Sequence, residues 1–414
     1  LSGAVDMWRL STGVLEAAVP ATLRDAAGLP VAGQKVRLSL KKHEFLFGTG
    51  TFFLVRRQAP GITPEKAAYY EKVWQLWQEL FNYATLPFYL GQYEPVKGQP
   101  NEAQLLTAAK ELTAIGRSVK GHPLCWHTAT APWLMDMDNA GVLEYQKYRI
   151  HRELGAFRQD IHFWDVINEV VIMPEFDKYD NAITRLCNEL GRVGIVKAMF
   201  DAAREADPNA TLLINDFNTS DRYRQLIRDC LDAGVCIDTI GIQSHQHQGF
   251  WGMDKLVEVV DRYEQFGLPI HFTENTFVSG HLMPPEIVDL NDYQIPEWPS
   301  TPEGEDRQAN NVLTMLDYLF SRPLVEGFTT WDFEDHQWLK APSGLVHSDG
   351  TPKKSLLMLK EKLQGDWHTS VDLVTDENGC CELYGFRGDY ELTLGDAVQA
   401  LTLGKDMSEQ RIVL

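Results

Sequence analysis

Apolar and polar positions alternate over residues 14–44, break at Ala26-Ala27-Gly28-Leu29-Pro30, and resume over 31–40. Period-two alternation predicts strands with one buried face, so this stretch reads as part of a small β layer. From Phe45 the rhythm changes. Short apolar runs at 45–51, 81–86, 118–126, 162–169, 211–216, 239–245, 270–274 and 327–331 alternate with longer segments of helical spacing. Those helices are predicted from Pro64 onward through Trp77, then over 105–115, 142–158, 181–206, 221–233, 253–266 and 304–321. Apolar strands separated by helices are the pattern of a parallel sheet buried on both faces. The predicted fold is therefore α/β, a (β/α)8 TIM barrel. Residues 366–414 return to alternation at 371–374, 382–386 and 390–394, around a turn at Asp376-Glu377-Asn378-Gly379.

Neither chain end is long enough to make a comfortable domain alone. The predicted division is a β segment at 1–44, the barrel at 45–365, and a β segment at 366–414 that completes one accessory β-sandwich with the first. Residues 31–40 and 382–394 are expected to pair in one sheet. The stretch 277–302 has no period and is rich in proline and acidic residues. Loops of that length in a compact domain are usually functional or mobile, and this one follows Glu274 directly. It is expected to form a lip of a cleft.

Polar and aromatic residues gather where the predicted strands stop: His122, Trp126 and His127; Asn168 and Glu169; Asn215 and Asp216; Gln243 and His245; Glu274; Trp331. That end of a barrel is where its chemistry sits. One glutamate at a strand end is as easily a solvated side chain as a reactive one. Two glutamates from two strands, among amides and indoles, match the paired carboxylates that flank a glycosidic bond. Glu169 follows an apolar strand with Trp164 nearby, which suits an acid/base kept protonated. Glu274 has His271 in its own strand and His245 on the adjacent one. A histidine hydrogen bond would keep it ionised as the nucleophile. Asn168 is placed to bond a sugar 2-hydroxyl, and the two carboxyls are expected about 5–5.5 Å apart.

Other chemistries fit less well. His122, His127, His245 and His247 are metal-ligand types, but amides and tryptophan rather than further carboxylates complete the cluster. No metal and no cofactor is predicted. Ser244 has no elbow glycines, and strand alternation points it away from Gln243 and His245.

Composition narrows the partners. Lys and Arg number 38 and Asp and Glu 58, giving a net charge of −20. Such a surface disfavours nucleic acid and anionic membrane, and it suits a neutral ligand such as a poly- or oligosaccharide. A hydrophobic content of 44% supports a large core. No run is long and apolar enough to span a membrane. The cysteines show neither zinc spacing nor a small-scaffold disulfide framework. The first residue is Leu and no leader is visible, so a processed or trimmed chain is expected, from a secreted or cell-surface protein. Nothing in the sequence points to an oligomeric state.

Four ordered stretches carry a resemblance: Gly121-His122-Pro123-Leu124-Cys125-Trp126-His127, Trp164-Asp165-Val166-Ile167-Asn168-Glu169, Gln243-Ser244-His245 and Thr273-Glu274. Over roughly residues 45–365 the chain resembles the family 10 glycoside hydrolases, the β-1,4-xylanases. Phe45-Leu46-Phe47-Gly48-Thr49 and Tyr384-Gly385-Phe386-Arg387-Gly388-Asp389-Tyr390 resemble the branch that includes plant enzymes. The resemblance implies an endo-acting retaining hydrolase, with Glu169 as acid/base and Glu274 as nucleophile. It also implies sugar sites lined by His122, Trp126, Asn168, Gln243, His245 and Trp331, with Trp338 as a further aromatic platform.

The departures fall beside that core. Where the family carries Glu-Asn and then Lys, this chain has Thr85-Leu86 and then Tyr89. The family's Gln after Trp-His-x is Ala129, and Glu274 is followed by Asn275-Thr276 rather than Leu-Asp. The glycone side is rewritten, with Tyr89 expected either to stack on a sugar or to block it. The alternative reading is thus a β-glycosidase of altered glycone specificity, acting on a branched or non-xylan plant polysaccharide. A non-catalytic glycan-binding barrel is a third reading, and the paired carboxylates count against it.

Overall fold

The computed structural model describes residues 15–414, so residues 1–14 of the predicted N-terminal β segment lie outside the described residues. Two alternating strands come first, β1 (Glu16–Arg24) and β2 (Lys35–His43). Eight apolar strands follow: β3 (Leu46–Gly50), β4 (Tyr83–Pro87), β5 (Ser118–His122), β6 (Phe163–Asn168), β7 (Thr211–Asp216), β8 (Thr239–Gln246), β9 (Ile270–Phe277) and β10 (Val325–Thr330). They close a barrel in the order β10-β3-β4-β5-β6-β7-β8-β9. The pairs are parallel, with Thr85 opposite Lys120 and Ile240 opposite Ile270. Helices cover the outer faces, which is why the strands read as unbroken apolar runs. Every residue of β9 is buried.

Local chemistry sets the helix starts. Thr63 accepts from the Lys66 amide and Pro64 opens helix Pro64–Gln78. Asp138, Asn181 and Ser220 cap helices Asn139–Ala156, Ala182–Ala206 and Asp221–Asp232 in the same way. Each such cap satisfies an amide that the helix leaves free, typically for about 1 kcal/mol. The segment 181–206, expected as one helix, is interrupted at Gly191, whose φ of 76° glycine alone adopts without strain. Gly121 on β5 has a different reason to be glycine. A Cβ there would fall 2.2 Å from the ring of Trp164 on β6. Trp164 is wholly buried, so the smallest residue makes room for one of the largest.

The described residues divide into two compact units, Phe47–Gln308 with Gly327–Lys353, and the residues up to Leu46 with Ala309–Glu326 and Lys354–Leu414. In the second unit β1 and β2 meet β11 (Ser370–Val374), β12 (Cys380–Phe386), β13 (Gly388–Leu394), β14 (Ala397–Leu403) and β15 (Gln410–Val413). One sheet runs β12-β1-β15 and the other β11-β2-β13-β14. Each sheet therefore mixes strands from both chain ends. The expected pairing of 31–40 with 382–394 holds for β2 with β13. It does not hold for β12, which pairs with β1 instead. Val19, Ala21 and Leu23 from β1, Val36, Leu38 and Leu40 from β2, and Leu383, Tyr390 and Leu392 are buried. Phe320 stacks on Trp367 at 3.9 Å within this unit.

The aperiodic stretch after β9 has a core of its own. Val278, Met283, Trp298, Leu339 and Ala341 form a buried cluster, with Ile287, Leu290, Tyr293, Ile295 and Trp338 packed against it. No helix among the described residues is long and apolar enough to cross a membrane.

Candidate functional site

The barrel strands deliver their last residues to one end, where Glu169, Glu274, Asn168, Gln243, His245, His122, Trp126, Tyr89, Trp331 and Trp338 meet through hydrogen bonds and ring contacts. Asn168 closes β6 and Glu169 follows it with φ at +60°. A non-glycine residue in that left-handed region typically costs about 1–3 kcal/mol. Successive strand residues face opposite ways, and this turn changes the direction in which Glu169 leaves the strand after Asn168. The Glu169 amide donates to the carbonyl of Asn215 at 2.9 Å, which ties the turn to β7.

A hydrogen-bond network joins the two glutamates. Trp126 Nε1 donates to Glu169 Oε2 at 2.7 Å, and Gln243 Nε2 donates to Glu169 Oε1 at 3.3 Å and to Asn168 Oδ1 at 3.1 Å. Asn215 Nδ2 donates to Asn168 Oδ1 at 3.0 Å and to Glu274 Oε2 at 2.9 Å. His245 Nε2 lies 3.0 Å from Glu274 Oε1. Asn168 Oδ1 thus already takes two hydrogen bonds, which leaves its amide nitrogen to donate to a ligand.

Rings close the cluster. Tyr89 meets His122 at 5.5 Å and Trp126 at 5.7 Å. His122 meets Trp331 at 5.1 Å, Trp331 meets His245 at 6.5 Å, and His245 meets Trp338 at 4.7 Å. Of the two expected histidine partners for Glu274, only His245 serves. His271 sits three residues before it and one layer deeper, among Tyr83 and Phe163: the register slip between β8 and β9 keeps both side chains on one face but leaves His271 out of reach of the carboxyl. Tyr89 lines the site, whereas Phe88 is core, packed on Phe157 and Trp164. Leu86 is core too. Ser244 is buried and donates to Asn275 Oδ1 at 2.9 Å. Among the described residues no group of three or more His, Cys, Asp or Glu is arranged to hold a metal ion.

The sequence reading named Asn215 but gave it no role, and the structure makes it the bridge between Asn168 and Glu274. Phe52 was missed altogether. It lies two residues past β3 and meets Tyr89 at 6.1 Å and Trp331 at 5.4 Å. Its position just past a strand end was the available signal.

Electrostatics separate the two carboxyls. Burial pushes Glu169 up to about 8, helped by the negative charges of Asp216 and Glu274. Burial also works to raise Glu274, but His122 and His245 outweigh it and hold Glu274 below the usual glutamate value. Asp216 is raised to about 7, chiefly by burial. Asp165, bonded by His122 Nδ1 at 2.6 Å, is held low despite burial by Lys120 and His122. One carboxyl therefore keeps its proton while the other is ionised, the division of labour that acid and nucleophile require.

This arrangement carries a stability consequence. Between the ordinary glutamate value of 4.5 and about 8, folded Glu169 holds a proton that the unfolded chain has released. Stability therefore falls as pH rises through that window, by up to about 1.4 kcal/mol per unit. Glu169→Gln removes this titration. Thermal melts at pH 5 and pH 8.5 are expected to show wild type losing stability relative to the variant on the alkaline side. A constant difference between the two proteins would show that Glu169 titrates normally.

Comparisons with known proteins place the chain in one family. The family model described as Glycosyl hydrolase family 10 matches residues 97–361. Endo-1,4-beta-xylanase B of Paenibacillus barcinonensis is 33% identical over 174 residues, covering 39% of this chain and 51% of the relative. Anti-sigma-I factor RsgI6 of Acetivibrio thermocellus is 26% identical over 379 residues, covering 89% of this chain and 44% of that protein. The chain thus spans about half the length of these relatives. The solved structure of a family 10 enzyme from Paenibacillus barcinonensis superposes with a TM-score of 0.63 at 20% identity, covering 78% of this chain and 96% of that one.

Proposed function

Since the chain belongs to glycosyl hydrolase family 10, we propose that it is an endo-acting, retaining β-1,4-xylanase. The observation that carries the reading is the pair Glu169 and Glu274, joined through Asn168, Asn215 and Gln243 and displaced in opposite directions in proton affinity. Ionised Glu274 attacks the anomeric carbon while Glu169 protonates the departing glycosidic oxygen. In the second half Glu169, now a base, takes a proton from water, which attacks the same carbon and releases Glu274. Asn168 donates to the sugar 2-hydroxyl, a bond that strengthens as charge develops on the ring. Trp126 and Gln243 orient Glu169. Trp331, Trp338 and Tyr89 offer ring faces to the sugars. The xylanases among its relatives support this substrate class. A polymeric substrate of that kind places the enzyme outside the cell or on its surface.

A second reading concerns the glycone side. Leu86 is buried core, and Tyr89 turns its ring to His122 and Trp126. Neither offers what a Lys and an Asn would. Beside them lies a small recess lined by Tyr89, Trp126, Ala129 and Gln146, with room for about one water, some 10 Å³. Each lost hydrogen bond to a sugar costs about 0.5–1.5 kcal/mol, so two weaken binding there roughly tenfold to a hundredfold. The expected outcome is a kcat/KM on linear xylotetraose lower by that factor than on a decorated xylan or another β-glycan. A panel of these substrates with product analysis tests both readings. Efficient cleavage of plain xylotetraose with no gain from decoration would remove the second. Inactivity on every β-glycan would remove the first.

A further inference from the structure

We propose that Thr276 and His247 are positioning residues that fix the hydrogen count of His245, holding its imidazole neutral with its single hydrogen on Nε2, aimed at Glu274. β8 and β9 place His245 directly opposite Thr276. Thr276 Oγ1 lies 3.3 Å from Nδ1 of His245 and 3.0 Å from Nδ1 of His247. Thr276 and His247 are buried, at 1% and 0% exposure, so solvent does not compete for these bonds.

A hydroxyl has one hydrogen to give. It cannot donate to both rings, so one ring must donate to it. Burial pushes His247 down to about 3, so that ring carries one hydrogen, on one nitrogen or the other. Its Nε2 is buried with no hydrogen-bond partner among the described residues. The ring packs against Trp298 and Trp338. A hydrogen on Nε2 would be a buried donor without an acceptor, so it belongs on Nδ1, donating to Thr276. Thr276 then gives its own hydrogen to Nδ1 of His245. That nitrogen cannot also be protonated, and Nε2, 3.0 Å from Glu274, carries the hydrogen.

The groups facing His245 make this control necessary. Glu274 on β9 and Asp332 just past β10 would both favour a second proton on it. His122 and Asp165 face Glu274 from β5 and β6 and act on the same balance, and His247 opposes protonation. The Thr276–His247 chain decides between them. A carboxylate at position 276 would do the opposite, accepting from Nδ1 and demanding an imidazolium. The catalytic consequence rests on Glu274 being the nucleophile. When its charge is consumed in the glycosyl ester, a neutral His245 leaves no stranded cation beside it.

The test is imidazole nitrogen NMR on protein labelled with 15N-histidine. In wild type at pH 7, His245 is expected to show a bare Nδ1 and a protonated Nε2, and His247 the reverse. His247→Phe frees the hydroxyl to accept, and the pH at which His245 gains a second hydrogen is expected to rise by about one unit or more. His247→Asn keeps an N–H at the Nδ1 position and is expected to restore the wild-type pattern. Thr276→Asp, which does not depend on the first variant folding, is expected to keep His245 an imidazolium at pH 7. An imidazolium at His245 in wild type at pH 7, or no difference between His247→Phe and His247→Asn, overturns the proposal. Wild type that shows the expected hydrogens yet hydrolyses no β-glycan supports it and sinks the assignment of Glu274 instead.

Discussion

Glu274→Gln is expected to leave a folded protein whose turnover of xylo-oligosaccharides falls on the order of 10⁵-fold or more, the scale seen when a covalent nucleophile is removed. The amide cannot form the glycosyl ester. The local packing cost is modest and specific. Glu274 accepts from Asn215 Nδ2 on one oxygen and faces His245 Nε2 on the other. Glutamine offers one oxygen and one NH2, so one of those donors would meet another donor. Losing that partner costs about 1–3 kcal/mol, which removal of a buried charge partly offsets. Steady-state kinetics beside a thermal melt and a circular-dichroism spectrum separate the two effects. A folded variant retaining more than a hundredth of wild-type turnover would show that Glu274 does not attack the sugar.

Glu169→Ala is expected to split substrates by leaving group. Proton transfer to the departing oxygen contributes typically 10²–10⁴-fold, and it matters most where that oxygen leaves poorly. Xylo-oligosaccharides, with a sugar alkoxide to expel, should lose that whole factor. Aryl glycosides with an acidic phenol should form the intermediate nearly as fast as before and then stall, because no base activates the water. Azide needs no base. Adding it should restore turnover on the aryl substrate and yield a glycosyl azide of unchanged anomeric configuration. Equal losses on good and poor leaving groups, with no azide effect, would move the acid/base role away from Glu169.

Much of this site was legible because the barrel strands are buried on both faces. Against strands such as 163–168 and 270–277, a glutamate or amide at the end stands out. The paired-carboxylate chemistry suggested the roles of Glu169 and Glu274, and the resemblance implied the same ones. Legibility fails where packing is not periodic. Val278, Met283, Leu290, Tyr293 and Trp298 fold around a loop rather than along an element, so their spacing carries no period although they form a core. Phe52 stands next to Phe53, a fully buried core residue, and nothing in the pair says which ring faces the cleft. β14 and β15 were not read as strands because exposed residues dominate them and blur the alternation. The choice of His245 over His271 is a matter of depth in the barrel: β8 and β9 slip register between Ile242 and Gln243, which counting along one strand does not reveal.

The two terminal sheets have a consequence for how the chain is made. Glu16 on β1 is bonded by Tyr384 on β12 across 368 residues of sequence. At about 5–20 residues per second of synthesis, β1 waits roughly 20–70 seconds for that partner. β2 waits as long for β13. Throughout that time Val19, Leu23, Val36 and Leu38 lack the strands beside which they are finally buried. β1 and β2 are made long before the strands that complete them, and until then are unpaired edges of the kind that invite association with other chains. A circular permutant that joined β15 to β1 and opened the chain elsewhere would turn these distant pairings into near ones. It would shift the most exposed interval of the protein's life from the ribosome to a brief local closure.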